Sequence, residues 1–166
     1  MNPKASILIV DDETVVRDSL GKWFEEEGYD VDTAASAREA LLKLPRQRWD
    51  LALLDIKMPG MDGLELQRKI HEVDPDIILV IMTGYASVET AVQALKDGAH
   101  DYITKPFDPD DLAHVIRKAL EHRRMKEENL RLRESLEEIQ AADLVGDSPA
   151  MQKVWEMIRT VAPTDT

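Results

Sequence analysis

The sequence of 166 residues has no cysteine, few aromatic residues and no long apolar run. Without cysteine the chain can form no disulfide, perform no thiol catalysis and offer no thiolate ligand to zinc or an iron–sulfur cluster. The longest uninterrupted apolar segment, Ile77–Met82, is too short to cross a membrane. The first four residues lack the basic-then-apolar pattern of a secretory signal. These absences predict a soluble, cytoplasmic protein.

Positive charge is also scarce. The chain has 21 lysines and arginines against 33 aspartates and glutamates, a formal net charge of −12. Binding to a nucleic-acid backbone requires a concentrated basic face, so this balance argues against direct nucleic-acid binding. At about 150 residues per domain, the length suits one domain with a full core and is too short for a two-domain enzyme.

Short apolar segments alternate with helical patterns through the first 108 residues. Continuous Ile/Leu/Val runs are typical of strands buried on both faces of a parallel sheet. Four such strands are predicted, at Ile7–Val10, Leu51–Leu54, Ile77–Met82 and Asp101–Thr104, with a half-polar strand at Tyr29–Ala34. Helices are predicted at residues 15–24, Ala37–Leu44, Leu64–Val73 and Val88–Lys96, and from Asp110 onward. This alternation predicts a doubly wound α/β fold: a flavodoxin-like, five-stranded parallel sheet of order 2-1-3-4-5.

The segment from Asp110 to about Ala142 has neither glycine nor proline, which predicts one long helix. Its second part carries a heptad repeat with acidic g and basic e positions, and an asparagine at an a position. These features are typical of a parallel two-stranded coiled coil, and a single solvated helix with local Glu–Lys pairs is the alternative. We expect a coiled-coil dimer over residues 121–142. The predicted dimer contacts are Met125, Asn129, Leu132, Leu136 and Ile139.

Polar side chains follow four of the predicted strands. Asp11 and Asp12 follow the first strand, Asp55 the third, Thr83 the fourth and Lys105 the fifth. Because the first and third strands are neighbours in the predicted sheet, we expect the three carboxylates to share one pocket. Such a cluster needs a cation, and oxygen ligands with an open edge suit Mg²⁺. The hydroxyl and the ammonium would supply a hydrogen-bond donor and a countercharge to a phosphoryl group on Asp55.

Each of these residues also has an ordinary structural interpretation. Asp11 or Asp12 could cap the following helix, Thr83 could be a turn residue and Lys105 a solvated charge. Taken together, five polar side chains at the carboxyl ends of four strands favour a functional site.

Four motifs carry a family resemblance. They are Ile9–Glu13, Leu54–Gly63, Met82–Tyr85 and Tyr102–Phe107. On these motifs, residues 1–120 resemble a response-regulator receiver domain. The resemblance implies that Asp55 is the phosphoacceptor. It also implies a phosphoacceptor module that assists its own phosphorylation and dephosphorylation and is not otherwise an enzyme.

The same resemblance implies roles for the surrounding residues. Mg²⁺ would be bound by Asp12, Asp55 and the backbone carbonyl of Lys57, with Asp11 acting mainly through water. Thr83 and Lys105 would contact the phosphoryl group. Tyr102 would turn inward as an aromatic switch linked to Thr83, and the bond between Lys105 and Pro106 would be cis.

The last residues carry a second, shorter resemblance. Residues 144–151, continuing through 161–166, are similar to the opening of the AAA+ ATPase domain in NtrC-type activators of sigma-54 RNA polymerase. The chain has no Walker A pattern, so no ATP site of that kind is expected. We therefore expect a receiver domain at 1–120, a linker helix at 121–142 and the start of an ATPase domain at 143–166, with DNA binding in a segment outside this chain.

The function predicted from these observations is that of a two-component response regulator. Its partners would be a sensor histidine kinase and a second copy of the chain, joined through the coiled coil and the face of the fourth helix, fifth strand and last helix. Sigma-54 RNA polymerase would be reached through the absent domain. A haloacid-dehalogenase-like phosphatase is one alternative, although its nucleophile follows the first strand in an Asp-x-Asp pattern. A flavodoxin-like cofactor binder is another, but Asp11–Glu13 would repel a phosphate there.

Overall fold

A computed structural model of the chain describes residues 3–84 and 87–143. The part of the predicted ATPase-like segment that follows residue 143 therefore lies outside the described residues. The strands are β1 (Ser6–Val10), β2 (Asp30–Ala34), β3 (Leu51–Asp55), β4 (Ile78–Thr83) and β5 (Asp101–Thr104). The helices are α1 (Thr14–Glu26), α2 (Ala37–Lys43), α3 (Gly63–Val73), α4 (Val88–Lys96) and α5 (Pro109–Asp143), with a 3-10 turn at Leu44–Arg46.

The five strands form one parallel sheet in the order β2-β1-β3-β4-β5, which confirms the predicted topology. In the register of the central strands, Val10 pairs with Leu54, and Asp55 pairs with Met82. The order changes direction between β1 and β3, and in sheets of this kind ligands bind beyond the carboxyl ends of the strands at that point.

Side chains of the central strands alternate between two apolar layers. Ile7 and Ile9 pack in a layer with residues of α1 and α5, whereas Leu8 and Val10 pack in a layer with residues of α2, α3 and α4. Because both faces of the sheet are covered by helices, the inner strands are continuously apolar, as the sequence predicted.

The prediction of a strand buried on both faces is wrong for β5. Its residues alternate between half-buried and exposed, and Tyr102 is 37% exposed. The strand lies at the edge of the sheet, where β4 is its neighbour on one side.

Residue contacts divide the chain into two units, residues 1–123 and 124–166. In the first unit, α5 buries Leu112, Ile116 and Ala119, and Arg123 donates a hydrogen bond to the carbonyl oxygen of Asp50 at 2.6 Å. In the second unit the same helix continues to Asp143, so the prediction of one long helix is confirmed.

The residues predicted to form a coiled coil lie in the second unit. Met125 and Leu132 are 64% and 61% exposed, and Leu136 and Ile139 are half-buried. A coiled-coil dimer therefore stays a prediction. Among the described residues, no helix has the length and apolarity needed to span a membrane.

Candidate functional site

Three carboxylates meet at the carboxyl ends of β1 and β3. Oxygens of Asp11, Asp12 and Asp55 all lie within 4.8 Å of one another. The side chains of Asp11 and Asp55 are buried, whereas Asp12 is exposed. The neighbouring positions of β1 and β3 create this cluster, because each strand delivers its last residues to the same edge of the sheet.

The environment of Asp55 disfavours its ionised form. The pKa of Asp55 is raised to about 6, first by burial and then by the negative charges of Asp11 and Asp12. The ammonium of Lys105 and a hydrogen bond from the backbone of Lys57 act in the opposite direction. The ionised carboxylate therefore predominates at neutral pH but is held at a cost in free energy, which a bound cation would reduce.

Lys105 places a positive charge among these acids. Its Nζ lies 2.6 Å from Oδ2 of Asp11 and 3.7 Å from Oδ1 of Asp55. Burial alone would lower the pKa of Lys105, but the hydrogen bond to Asp11 and the charges of Asp11 and Asp55 outweigh it and raise that pKa. Lys105 is thus an ammonium at neutral pH, within reach of the phosphoacceptor candidate.

A backbone hydrogen bond connects the ends of β4 and β5 at this edge of the sheet. The backbone N–H of Lys105 donates to the carbonyl oxygen of Thr83 at 2.7 Å, and the bond between Lys105 and Pro106 is cis, as the resemblance implied. Thr83 is buried and directly follows Met82, the register partner of Asp55. Tyr102 is paired with Ile81 across β4 and β5, and its switching role remains a prediction.

Arg17 also belongs to the site, although its role was not predicted from the sequence. Its Nη1 donates to the carbonyl oxygen of Asp11 at 2.7 Å and its Nη2 to Oγ1 of Thr14 at 3.2 Å. A side chain that binds a main-chain carbonyl produces no recognisable residue pattern. The position of Arg17 one turn into α1 was the available indication of its role. Glu13 is the N-cap of α1 and Asp11 accepts its backbone N–H, so neither aspartate caps this helix.

The donor set fits Mg²⁺. This ion prefers carboxylate and carbonyl oxygens and retains several waters, and the cluster offers three carboxylates of which one faces solvent. Burial of Asp55 and the repulsion from Asp11 and Asp12, which together raise its pKa, provide the physical reason for a divalent cation here.

Comparisons with known proteins agree with this geometry. A family profile described as the response regulator receiver domain matches residues 7–117. The chain is 39% identical over 166 residues to the C4-dicarboxylate transport transcriptional regulatory protein DctD of Rhizobium meliloti (strain 1021), a match that covers 99% of this chain and 36% of that protein. The chain thus spans little more than a third of this curated relative.

Two solved structures extend the comparison. NtrX from Brucella abortus in complex with ADP is 38% identical, with a TM-score of 0.74, over 96% of this chain and 34% of that one. The beryllofluoride-activated receiver-domain dimer of NtrC4 is 39% identical, with a TM-score of 0.68, over 71% of this chain and 98% of that one. These matches give no support to the haloacid-dehalogenase alternative.

Proposed function

The chain belongs to the response regulator receiver domain family, and on that basis we propose that Asp55 accepts a phosphoryl group from the phosphohistidine of a sensor histidine kinase. Receiver domains are generally non-enzymatic phosphoacceptors. The observation that carries the proposal is the position of Asp55: buried, within 4.8 Å of two other carboxylates and 3.7 Å from the Lys105 ammonium. Such a carboxylate is ionised at neutral pH and is available as a nucleophile.

In the transfer, a carboxylate oxygen of Asp55 attacks phosphorus while the phosphorus–nitrogen bond breaks. The electron pair of that bond goes to the imidazole, and an acyl phosphate forms on Asp55. Lys105 offsets negative charge on the transferring group from its place beside Oδ1 of Asp55.

Receiver domains bind Mg²⁺ at an acidic pocket of this kind. We propose that Asp12, Asp55 and the backbone carbonyl of Lys57 hold the ion, with Asp11 acting through water. When bound, the ion supplies positive charge that offsets the carboxylates and attracts phosphoryl oxygens. Asp11, which hydrogen-bonds both Lys105 and the backbone of Glu13, holds these neighbours in place.

Phosphorylation would be relayed through Thr83 and Tyr102. The Thr83 hydroxyl donates to a phosphoryl oxygen at the end of β4, and its movement leaves space into which the half-exposed Tyr102 ring turns. The two residues are on paired strands, with Thr83 opposite Thr104, two positions beyond Tyr102. A change at the buried Thr83 would therefore be passed to the exposed Tyr102 on β5.

Receiver domains of this kind dimerise, as the NtrC4 example does. We propose that this chain pairs through the face of α4, β5 and α5, where α4 exposes Val88, Val92 and Leu95 near the edge strand. A second contact would be the heptad of α5. Its proposed residues are Met125, Asn129, Leu132, Leu136 and Ile139.

We propose that the whole protein is a sigma-54-dependent transcriptional activator. The similarity to a transcriptional regulatory protein, DctD, supports this, and the present chain would supply the receiver at 1–120, the linker at 121–142 and the ATPase opening at 143–166. Rearrangement of the dimer would then control an ATPase domain that follows.

The phosphoacceptor is tested by incubating the chain with Mg²⁺ and phosphoramidate and measuring intact mass. The wild type should gain one phosphoryl group that hydroxylamine removes, because acyl phosphates react with it. Asp55→Asn should gain none, while Asp18→Asn, which changes an exposed carboxylate on α1, should behave as wild type. Equal labelling of Asp55→Asn and wild type would refute the assignment.

A further inference from the structure

Gly63, the first residue of α3, lies unusually close to the backbone of Asp55. A Cβ placed on Gly63 would lie 2.2 Å from the carbonyl oxygen of Asp55, 2.8 Å from its carbonyl carbon and 2.9 Å from Cα of Ile56. All three obstructing atoms belong to the main chain, so no side-chain rotation relieves the overlap. Any residue other than glycine must therefore displace the backbone of the phosphoacceptor candidate or of α3.

Hydrogen bonds hold the two segments at this distance. The N–H of Gly63 donates to the carbonyl oxygen of Ile56 at 2.9 Å, and the N–H of Ile56 donates to the carbonyl oxygen of Met82 at 3.1 Å. Asp62 caps α3 by accepting the N–H of Glu65 at 2.8 Å. The start of α3 is thus fixed to the end of β3, which is itself fixed to β4.

The close approach also shapes the loop between β3 and α3. The Ile56–Gly63 hydrogen bond closes the base of that loop, and the loop contains Lys57, whose backbone hydrogen-bonds to the Asp55 carboxylate. A displacement at Gly63 would consequently move both Asp55 and Lys57.

We propose that Gly63 is a positioning residue for phosphoryl transfer and for Mg²⁺ binding. By permitting backbone contact between α3 and β3, it sets the direction of the Asp55 carboxylate and of the Lys57 carbonyl. The inference rests on the proposed function of Asp55 as phosphoacceptor and of Lys57 as a metal ligand.

The expected effect follows from the distances. Relieving a 2.2 Å contact requires a shift on the order of 1 Å, and a misplacement of that size costs about 10²-fold in rate for an oriented reaction. Gly63→Ala should therefore slow phosphorylation at saturating phosphoramidate by about 10- to 100-fold. It should also weaken Mg²⁺ binding by about 10-fold or more, as the loss of groups that orient metal ligands does.

Gly21→Ala is the matched control. Gly21 is a buried glycine on α1, but a Cβ there would meet Thr33 Cγ2 at 3.6 Å, an ordinary contact. Both variants of the full chain would be compared with wild type by calorimetric titration with Mg²⁺ alone, by phosphorylation rate and by circular dichroism. A folded Gly63→Ala chain with wild-type Mg²⁺ affinity and rate would overturn the proposal.

If Gly63→Ala unfolds in buffer, the titration is repeated for all chains in trimethylamine N-oxide, which favours the folded state. The proposal predicts weak Mg²⁺ binding by the refolded variant, and recovery of wild-type affinity would overturn it. Failure of the proposed function would give a different result, because the wild type itself would then remain unphosphorylated at Asp55. The Mg²⁺ titrations of the three chains would still show whether Gly63 affects Mg²⁺ binding.

Discussion

Replacing Asp55 by asparagine should stabilise the chain at neutral pH in the absence of Mg²⁺. Burial and the charges of Asp11 and Asp12 raise the pKa of Asp55 from 3.8 to about 6, so the folded protein resists the ionisation that the unfolded chain permits. Asparagine is neutral at every pH and similar in shape. The variant therefore removes the repulsion and keeps an oxygen for the hydrogen bond from Lys57.

The magnitude follows from proton linkage. A difference of about two pKa units at 1.36 kcal/mol each corresponds to a gain of about 3 kcal/mol at most. The attraction between Lys105 and Asp55 is already included in the pKa of about 6 and is not subtracted again. The direction of the effect follows from the raised folded-state pKa. Protonated Asp55 contributes its full stability below the unfolded pKa, and this contribution is lost as the pH rises through 6. The two chains should thus be equally stable below the unfolded pKa of 3.8 and differ most above pH 6.

Urea unfolding followed by circular dichroism, in EDTA at several pH values, measures this difference. Asp18→Asn is the control, because an exposed carboxylate away from the cluster should change the free energy of unfolding by less than about 0.5 kcal/mol. Saturating Mg²⁺ should stabilise the wild type more than Asp55→Asn. Equal stability of wild type and Asp55→Asn at pH 7.5 in EDTA would refute the electrostatic reasoning.

Two further predictions concern the missed arginine and the linker helix. Arg17→Leu should weaken Mg²⁺ binding in calorimetry by about 10-fold, because the backbone between Asp11 and Asp12 loses its hydrogen bond. Arg17→Lys should restore part of the affinity. Unchanged affinity of Arg17→Leu would exclude this positioning role. Without beryllofluoride, Leu132→Asp should convert a dimer to a monomer in light scattering, whereas Leu130→Asp, exposed but outside the heptad seam, should not. A monomeric wild type with and without beryllofluoride would contradict the coiled coil.

Most of the fold could be predicted from the sequence because its patterns report burial directly. The continuous apolar runs of β1, β3 and β4 are buried on both faces, and the segment without glycine or proline is one helix to Asp143. The exposure of β5 was mispredicted because four residues with a polar residue at each end do not distinguish an edge strand from a central one.

The residues of the candidate site could also be predicted only in part. Residues that follow strands, such as Asp55 and Lys105, could be predicted because parallel strands deliver their ends to one edge. The roles of Arg17 and Gly63 could not be predicted. A hydrogen bond to a main-chain carbonyl, and a position where a Cβ would lie 2.2 Å from backbone, depend on the path of the chain rather than on residue type.

The central claim is that Asp55 carries the phosphoryl group, and chemical trapping tests it most directly. The phosphorylated chain would be reduced with borohydride, which converts an aspartyl phosphate to homoserine, and its peptides sequenced by mass spectrometry. We expect homoserine at position 55, in the peptide that contains the end of β3, and none at positions 11 and 12. Homoserine at either of those neighbours, with Asp55 unchanged, would contradict it.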